Sequence, residues 1–157
     1  DVGPVELCAD PDSTDPAWNP VLLPGNIDTR FQGDGDLGAR MARAAAHHLQ
    51  AGEDVMLIGT DCVEMSAELL RRAACRLAAC DALIHPARDG GYALLGLRRF
   101  APSLFTRIPW STNEVARLTI ERIRALGWRL DLAELLNDVD EVDDLALLSD
   151  TDLKLME

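Results

Sequence analysis

The sequence predicts an α/β domain built on a mixed, mostly parallel sheet flanked by helices. Short apolar runs of strand length alternate with longer stretches whose apolar residues recur at helical spacing. One run, Val55 to Ile58, leads into Gly59 and, two residues later, Asp61. That pattern suits a strand buried on both faces that delivers an acid to the carboxyl edge of the sheet, where open α/β folds bind ligands. Two other runs, Ala82-Leu-Ile84 and Tyr92-Ala-Leu-Leu-Gly-Leu97, stand too close together for a helix between them, so part of the sheet is antiparallel.

The elements follow in order. Val5-Glu-Leu-Cys-Ala9 reads as a strand, and residues 10–24 form a long Pro- and Asp-rich loop containing Trp18. Phe31-Gln-Gly-Asp-Gly-Asp-Leu-Gly38 is a Gly/Asp turn region. Leu37, Met41, Ala45 and Leu49 then mark a helix that Gly52 stops. After the Val55 strand, Ser66 is placed to cap a helix whose apolar face is Leu69, Leu70, Ala73 and Leu77. Strands at Ala82 to Ile84 and Tyr92 to Leu97 follow, the second entered through Asp89-Gly90-Gly91. Ser111-Thr-Asn-Glu114 has capping-box spacing and opens a helix to about Leu126. Arg129 to Leu132 reads as a further strand, and Asp140 as the cap of a last helix.

With 157 residues and 48% hydrophobic content the chain reads as a single domain over 1–157 with a real core. A net charge of −12 argues against a nucleic-acid partner, which would need a basic face. No apolar run approaches the ~20 residues of a membrane span. No signal-peptide pattern is seen, and a cytoplasmic location is expected. The four cysteines, Cys8, Cys62, Cys75 and Cys80, lack zinc or disulfide spacing and read as reduced thiols. The only lysine is Lys154, so a lysine in the heart of the site is excluded.

Four clusters can carry chemistry: Gly59-Thr-Asp61-Cys62, Asp89-Gly-Gly-Tyr92, Pro109-Trp-Ser-Thr112 and Asp138-Val-Asp140. Carboxylates are the ligands Mg²⁺ or Mn²⁺ prefer, usually with substrate phosphates completing the shell. Asp61 and Asp140 can meet from different elements to hold one ion. Asp138 and Asp140 alternate, so in an extended chain they share a side. The plainer alternative keeps Asp140 as a cap and Asp138 as a turn residue. Gly90 and Gly91 allow close backbone approach. Trp110 either stacks on a ligand or packs in the core. Arg40 either contacts a base or phosphate or pairs at the surface with Asp34 or Asp36.

Taken in order, Gln32-Gly33…Asp36-Leu-Gly-x-Arg40-Met, Leu57-Ile-Gly-x-Asp61-Cys62, Asp89-Gly-Gly-Tyr92…Gly96-Leu97, Ile108-Pro-Trp-Ser111 and Asp138-Val-Asp140…Asp144-Leu145 resemble the bacterial glycosyltransferase-A-like proteins of the DUF2064 family. These are related to small nucleotidyltransferases. The resemblance runs from about Val5 to Leu148. It implies a Rossmann-like GT-A fold that binds a nucleotide-sugar or nucleoside triphosphate with Mg²⁺ or Mn²⁺. By position it implies Asp61, Asp138 and Asp140 as metal-side acids, with Asp61 and Asp89 as the catalytic carboxylates. It implies Gly33, Gly38 and Arg40 on the nucleotide side, and Gly90, Gly91, Tyr92, Trp110 and Ser111 on the acceptor side. The implied activity is metal-dependent glycosyl transfer from a nucleotide-activated donor. The alternatives are nucleotidyl transfer to a small phosphorylated acceptor, or a non-catalytic nucleotide-binding scaffold.

Three departures qualify the resemblance. Val63 stands where relatives usually have Pro, and Glu141-Val142 replaces Thr-Pro. The family's opening strand and cationic phosphate loop are not in the sequence. The chain is therefore expected to be the C-terminal portion of the fold, inactive alone, with an exposed sheet edge that drives dimerisation or pairing with another chain. A phospho-acceptor role for Asp61 is disfavoured, because Val63 stands where dehalogenase-type sites need a second acid, and no lysine is present on a later strand where receivers need one.

Overall fold

A computed structural model describes residues 2–21, 23–25, 27–60 and 62–137. The chain opens with strand β1 (Val5–Ala9), which pairs in parallel with β2 (Ile27–Phe31), Val5 opposite Ile27 and Ala9 opposite Phe31. The loop between them contains a 3-10 turn, Pro16–Trp18, capped by the Asp15 side chain. Trp18 Nε1 donates to the Pro11 carbonyl at 2.8 Å and folds the loop back on itself. β2 was not expected from the sequence. Its residues alternate in type, but it is short and follows a Pro/Gly loop that masks the period.

Helix α1 (Leu37–Gln50) starts where Asp36 accepts from the Ala39 amide at 2.8 Å, and it stops at Gly52, whose φ of 83° suits glycine. Met41, Ala45 and Leu49 face the core as the spacing predicts, whereas Leu37 is exposed. Arg40 near the start of α1 reaches Asp10 just after β1, and His48 near its end reaches Glu6 inside β1. The helix therefore runs antiparallel to β1. Since Val55 follows shortly after its end, the next strand, β3 (Val55–Ile58), runs back alongside it in the direction of β1.

Helix α2 (Ala67–Leu77) follows, capped by Ser66 Oγ accepting from the Leu69 amide at 3.2 Å. Strands β4 (Ala82–Pro86) and β5 (Tyr92–Leu97), a 3-10 turn (Pro102–Leu104), helix α3 (Val115–Ala125) and strand β6 (Leu130–Leu132) complete the described elements. The second sheet has the order β3-β5-β4-β6. β5 is antiparallel to both neighbours and β4 is parallel to β6. The mixed sheet predicted from the closeness of β4 and β5 is thus found.

That sheet is covered on both faces. Ala82, Ile84, Leu95 and Leu97 pack on one side against Ala45, Phe105, Ile123 and Trp128. Leu83 and Leu94 pack on the other against Leu69, Ala73 and Leu77 of α2. Each fully buried leucine contributes roughly 1.5–3 kcal/mol of transfer free energy.

Two expectations need correction. β3 is not buried on both faces: Val55, Met56 and Leu57 are half-buried and Ile58 is 45% exposed. Among the described residues β3 pairs with β5 alone, so its other edge has no strand beside it there. The capping box at residues 111–114 does not form either. Ser111 has φ 61°, outside the extended region a cap occupies, and α3 begins at Val115 with no side-chain cap. The last helix, with Asp140 as its cap, lies outside the described residues.

Candidate functional site

Strands β3, β4 and β6 point the same way, so their carboxyl ends share one edge with the start of β5. Because β1 runs with β3, Ala9 and Asp10 also lead toward that edge. Most of the residues nominated by the sequence lie along it.

At the end of β1, Arg40 Nη1 bonds Asp10 Oδ2 at 2.5 Å and Gln32 Oε1 at 3.1 Å, and its Nε bonds the Gly35 carbonyl at 3.0 Å. Gln32 in turn donates to the Cys8 carbonyl at 2.8 Å. The surface pairing of Arg40 with Asp34 or Asp36 is therefore not what occurs; Asp10, distant in sequence, takes it. Asp10 and Gln32 were not nominated as site residues. Asp10 carries the same signal as Asp61, an acid just past a strand end, and that signal would have found it.

Gly33 has φ 76°, and a Cβ there would meet the Arg43 guanidinium at 3.0 Å. Arg43 wraps this turn, donating to the Gln32 carbonyl at 2.9 Å and the Asp34 carbonyl at 2.6 Å. Gly38, in the first turn of α1, is buried against Trp110: a Cβ would lie 2.5 Å from Trp110 Nε1 and 2.3 Å from the Phe105 carbonyl oxygen. Glycine at this point lets the indole lie against the helix start. The structure thus brings together Gly38 and Trp110, which the resemblance had assigned to opposite sides of the expected site. The indole nitrogen is buried with no hydrogen-bond partner among the described residues.

The strip continues through Ser111, whose positive φ turns the chain toward Asn113 and the start of α3. Gly90 (φ 92°) presses against Asn113, and its carbonyl accepts from the Ala116 amide at 2.9 Å. Asp89 Oδ1 accepts from the Gly91 amide at 2.7 Å, which closes the turn and leaves the carboxylate exposed. Tyr92 differs from its neighbours. Its ring packs on the core and its hydroxyl is buried, as is that of Thr119, and neither has a geometrically sound partner among the described residues. Burial pushes the Tyr92 phenol well above its ordinary range.

Beyond the turn, Arg88 Nε donates to Asn137 Oδ1, and Glu64 Oε2 accepts from the Asn137 amide at 2.7 Å. Cys62 and Leu136 join the same buried cluster. The loop after β3 and the chain after β6 are thereby tied together. Arg88, Glu64 and Asn137 went unnoticed in the sequence, and only the tertiary pairing reveals them. Asp61, Asp138 and Asp140 lie outside the described residues. Among the described residues no group of three or more His, Cys, Asp or Glu side chains is arranged to hold a metal ion. No described helix is long and apolar enough to cross a membrane.

A mixed, two-faced sheet with a polar strip along its carboxyl edge defines the class: a Rossmann-like α/β fold of the kind that binds ligands at strand ends. The chain belongs to the DUF2064 family of uncharacterised proteins conserved in bacteria, whose profile matches residues 1–112. It is also similar to a crystal structure from Desulfovibrio desulfuricans G20 described as a "putative nucleotide-diphospho-sugar transferase", with 34% identity and a TM-score of 0.82. The match covers 93% of this chain and 65% of that one, so the chain spans less than two thirds of the neighbour's length. No curated protein matches. The family and the GT-A-like fold expected from the ordered motifs are borne out.

Proposed function

We propose that this chain forms the larger part of a nucleotide-diphospho-sugar transferase, with the carboxyl-edge strip as its donor and acceptor site. The observation that carries the reading is a chain of contacts, Gly38 to Trp110, Asn113 to Gly90, Arg88 to Asn137 and Asn137 to Glu64, linked by short stretches of backbone. The similarity to the Desulfovibrio protein supports the same class.

In this reading Gly33, Gly38 and Arg40 border the nucleotide, and Gly90, Gly91, Trp110 and Ser111 border the acceptor. Tyr92 supports the acceptor side from the core, since its hydroxyl is shielded. Asp89 is the exposed carboxylate of the turn, free to accept an acceptor hydroxyl proton while its Oδ1 holds the Gly91 amide. Asp61, Asp138 and Asp140 are the acids to hold Mg²⁺ or Mn²⁺. The described atoms favour this in one respect: Cys62 and Asn137, their chain neighbours, sit on two loops tied by the Glu64 bond. A bound divalent ion would offset charge developing on the leaving diphosphate.

Nucleotidyl transfer is the second reading, because it uses the same edge and ion. One observation favours a third, non-catalytic binding reading: the Arg40 guanidinium is already committed to Asp10, Gln32 and Gly35. Turnover separates the three. Incubated with nucleotide-sugars and Mn²⁺, a glycosyl transferase releases nucleoside diphosphate. With nucleoside triphosphates a nucleotidyl transferase releases pyrophosphate. Release of neither by the full-length protein across a panel of bases would sink the transferase reading.

A further inference from the structure

We propose that a hollow between the loop after β5 and the last turns of α3 binds the phosphate group of a small molecule. The inference rests on this hollow alone and is independent of the transferase reading.

The hollow has a volume of about 440 Å³ and is lined by Ser103, Thr106, Arg107 and Arg122. Ser103 belongs to the 3-10 turn Pro102–Leu104, Thr106 and Arg107 follow it, and Arg122 stands near the end of α3. The turn at Gly90 meets α3 at Ala116. Arg122 comes nearly two turns later, roughly 9 Å along the helix axis. The hollow is therefore set apart from that turn.

Its lining is cationic, in a chain of net charge −12. Most arginines of this chain reach a carboxylate, as Arg30 reaches Glu6, Arg76 reaches Asp131 and Arg98 reaches Asp54. Arg107 and Arg122 reach none among the described residues, and no acid lines the hollow. Arg122 grips the loop instead. Its Nη1 donates to the Ser103 carbonyl at 2.7 Å and to the Thr106 carbonyl, and its Nη2 donates to the Arg107 carbonyl at 3.0 Å. Three of its five N–H donors are thus spent on backbone, and two remain. Carbonyl oxygens carry no formal charge, so two guanidinium charges stand side by side without a counter-ion from the described chain.

The backbone holds them in place. Arg107 has φ 56°, a conformation that a residue with a Cβ adopts at a steric cost. Such strain persists where surrounding contacts impose it, and it clusters at ligand sites. Here Arg122 pins the Arg107 carbonyl, while Phe105 and Ile108 bury themselves on either side. A donor set fixed in advance loses little entropy on binding. Two guanidinium groups and the Ser103 and Thr106 hydroxyls suit a tetrahedral oxyanion. A phosphate dianion uses both charges, whereas a carboxylate uses one. The volume is that of a small-molecule site, and the chain's negative charge repels a polyanion such as nucleic acid. A phosphomonoester of metabolite size is the occupant that fits.

Backbone amide resonances followed by NMR test this, with the protein titrated at constant ionic strength with inorganic phosphate and with glycerol 3-phosphate. The proposal expects the amides of residues 103–108 to shift and saturate with both probes. Arg107→Ala should weaken binding at least tenfold and leave the melting temperature unchanged, because alanine and arginine bear the same left-handed cost. Arg124→Ala, which removes an exposed arginine of the same helix outside the hollow, should bind as the parent does. Shifts that never saturate, shifts confined to residues 33–40, or equal binding by Arg107→Ala would each overturn the proposal.

Discussion

Replacing Gly90 by Ala tests how the site strip is held. Gly90 has φ 92°, and a Cβ would fall 2.3 Å from both the Asn113 Cα and its carbonyl oxygen. The left-handed conformation alone costs an alanine about 1–2 kcal/mol. The overlap is with backbone, which no rotamer change relieves, and such overpacking adds roughly 1–3 kcal/mol. The turn must back away from α3, straining the 2.9 Å bond from the Ala116 amide to the Gly90 carbonyl. The sum, roughly 2–5 kcal/mol, corresponds to a fall in Tm of about 5–15 °C at this chain length. Gly91→Ala is the internal control. Its Cβ would meet only the Asp89 carboxylate, at 3.1 Å, and that side chain can swing aside. The cost there is under about 1 kcal/mol, partly offset by the lower entropy of the unfolded chain. Thermal unfolding followed by circular dichroism reads both. A Gly90→Ala protein melting within about 2 °C of the parent, or a Gly91→Ala protein melting as low as Gly90→Ala, would refute the reasoning.

The remaining predictions concern charge and capping. The His48 ring is held above its ordinary range of 6.5, first by Glu53 and also by Glu6. Its contribution is thus complete below about pH 6.5 and lost as pH rises through the elevated value. Glu6 is held below its ordinary 4.5, first by Arg30, so its contribution is present above that value and lost on acidification. Urea unfolding should show stability falling by less than about 1 kcal/mol between pH 6 and 8, and His48→Gln should flatten that limb. Ser66→Ala removes the α2 cap and should cost about 1 kcal/mol in the same assay. Arg40→Ala frees Asp10 and Gln32 at the site edge. It should weaken nucleotide binding at least tenfold, whereas Arg117→Ala, which loses only ion pairs to Glu114 and Glu121 on α3, should leave binding unchanged.

The elements legible in the sequence are those whose own residues decide them. Ser66 and the Leu69, Ala73 and Leu77 stripe define α2 locally, and they fold as read. The closeness of Ala82–Pro86 and Tyr92–Leu97 forces an antiparallel pair whatever lies around it. What failed depends on distant partners. Val55 to Ile58 reads as an interior strand, but its neighbours decide whether it is one. The letters of Ser111 to Glu114 spell a capping box, yet the approach of Gly90 to Asn113 and Trp110's packing on Gly38 go with a positive φ at Ser111. Arg40 found Asp10 rather than Asp34 or Asp36 because β1 and α1 run antiparallel, which local sequence does not encode. For the candidate site, the ordered motifs named Gly38 and Trp110, which meet, while Glu64, Arg88 and Asn137 are joined by contacts far apart in sequence.

Calorimetric titration of the protein with nucleoside diphosphates, with and without saturating Mn²⁺, tests the proposed donor site most directly. The account predicts binding of at least one base that requires Mn²⁺ and is lost in Asp61→Asn while thermal stability is kept. Binding equally strong without the metal, or unchanged in Asp61→Asn, would contradict it.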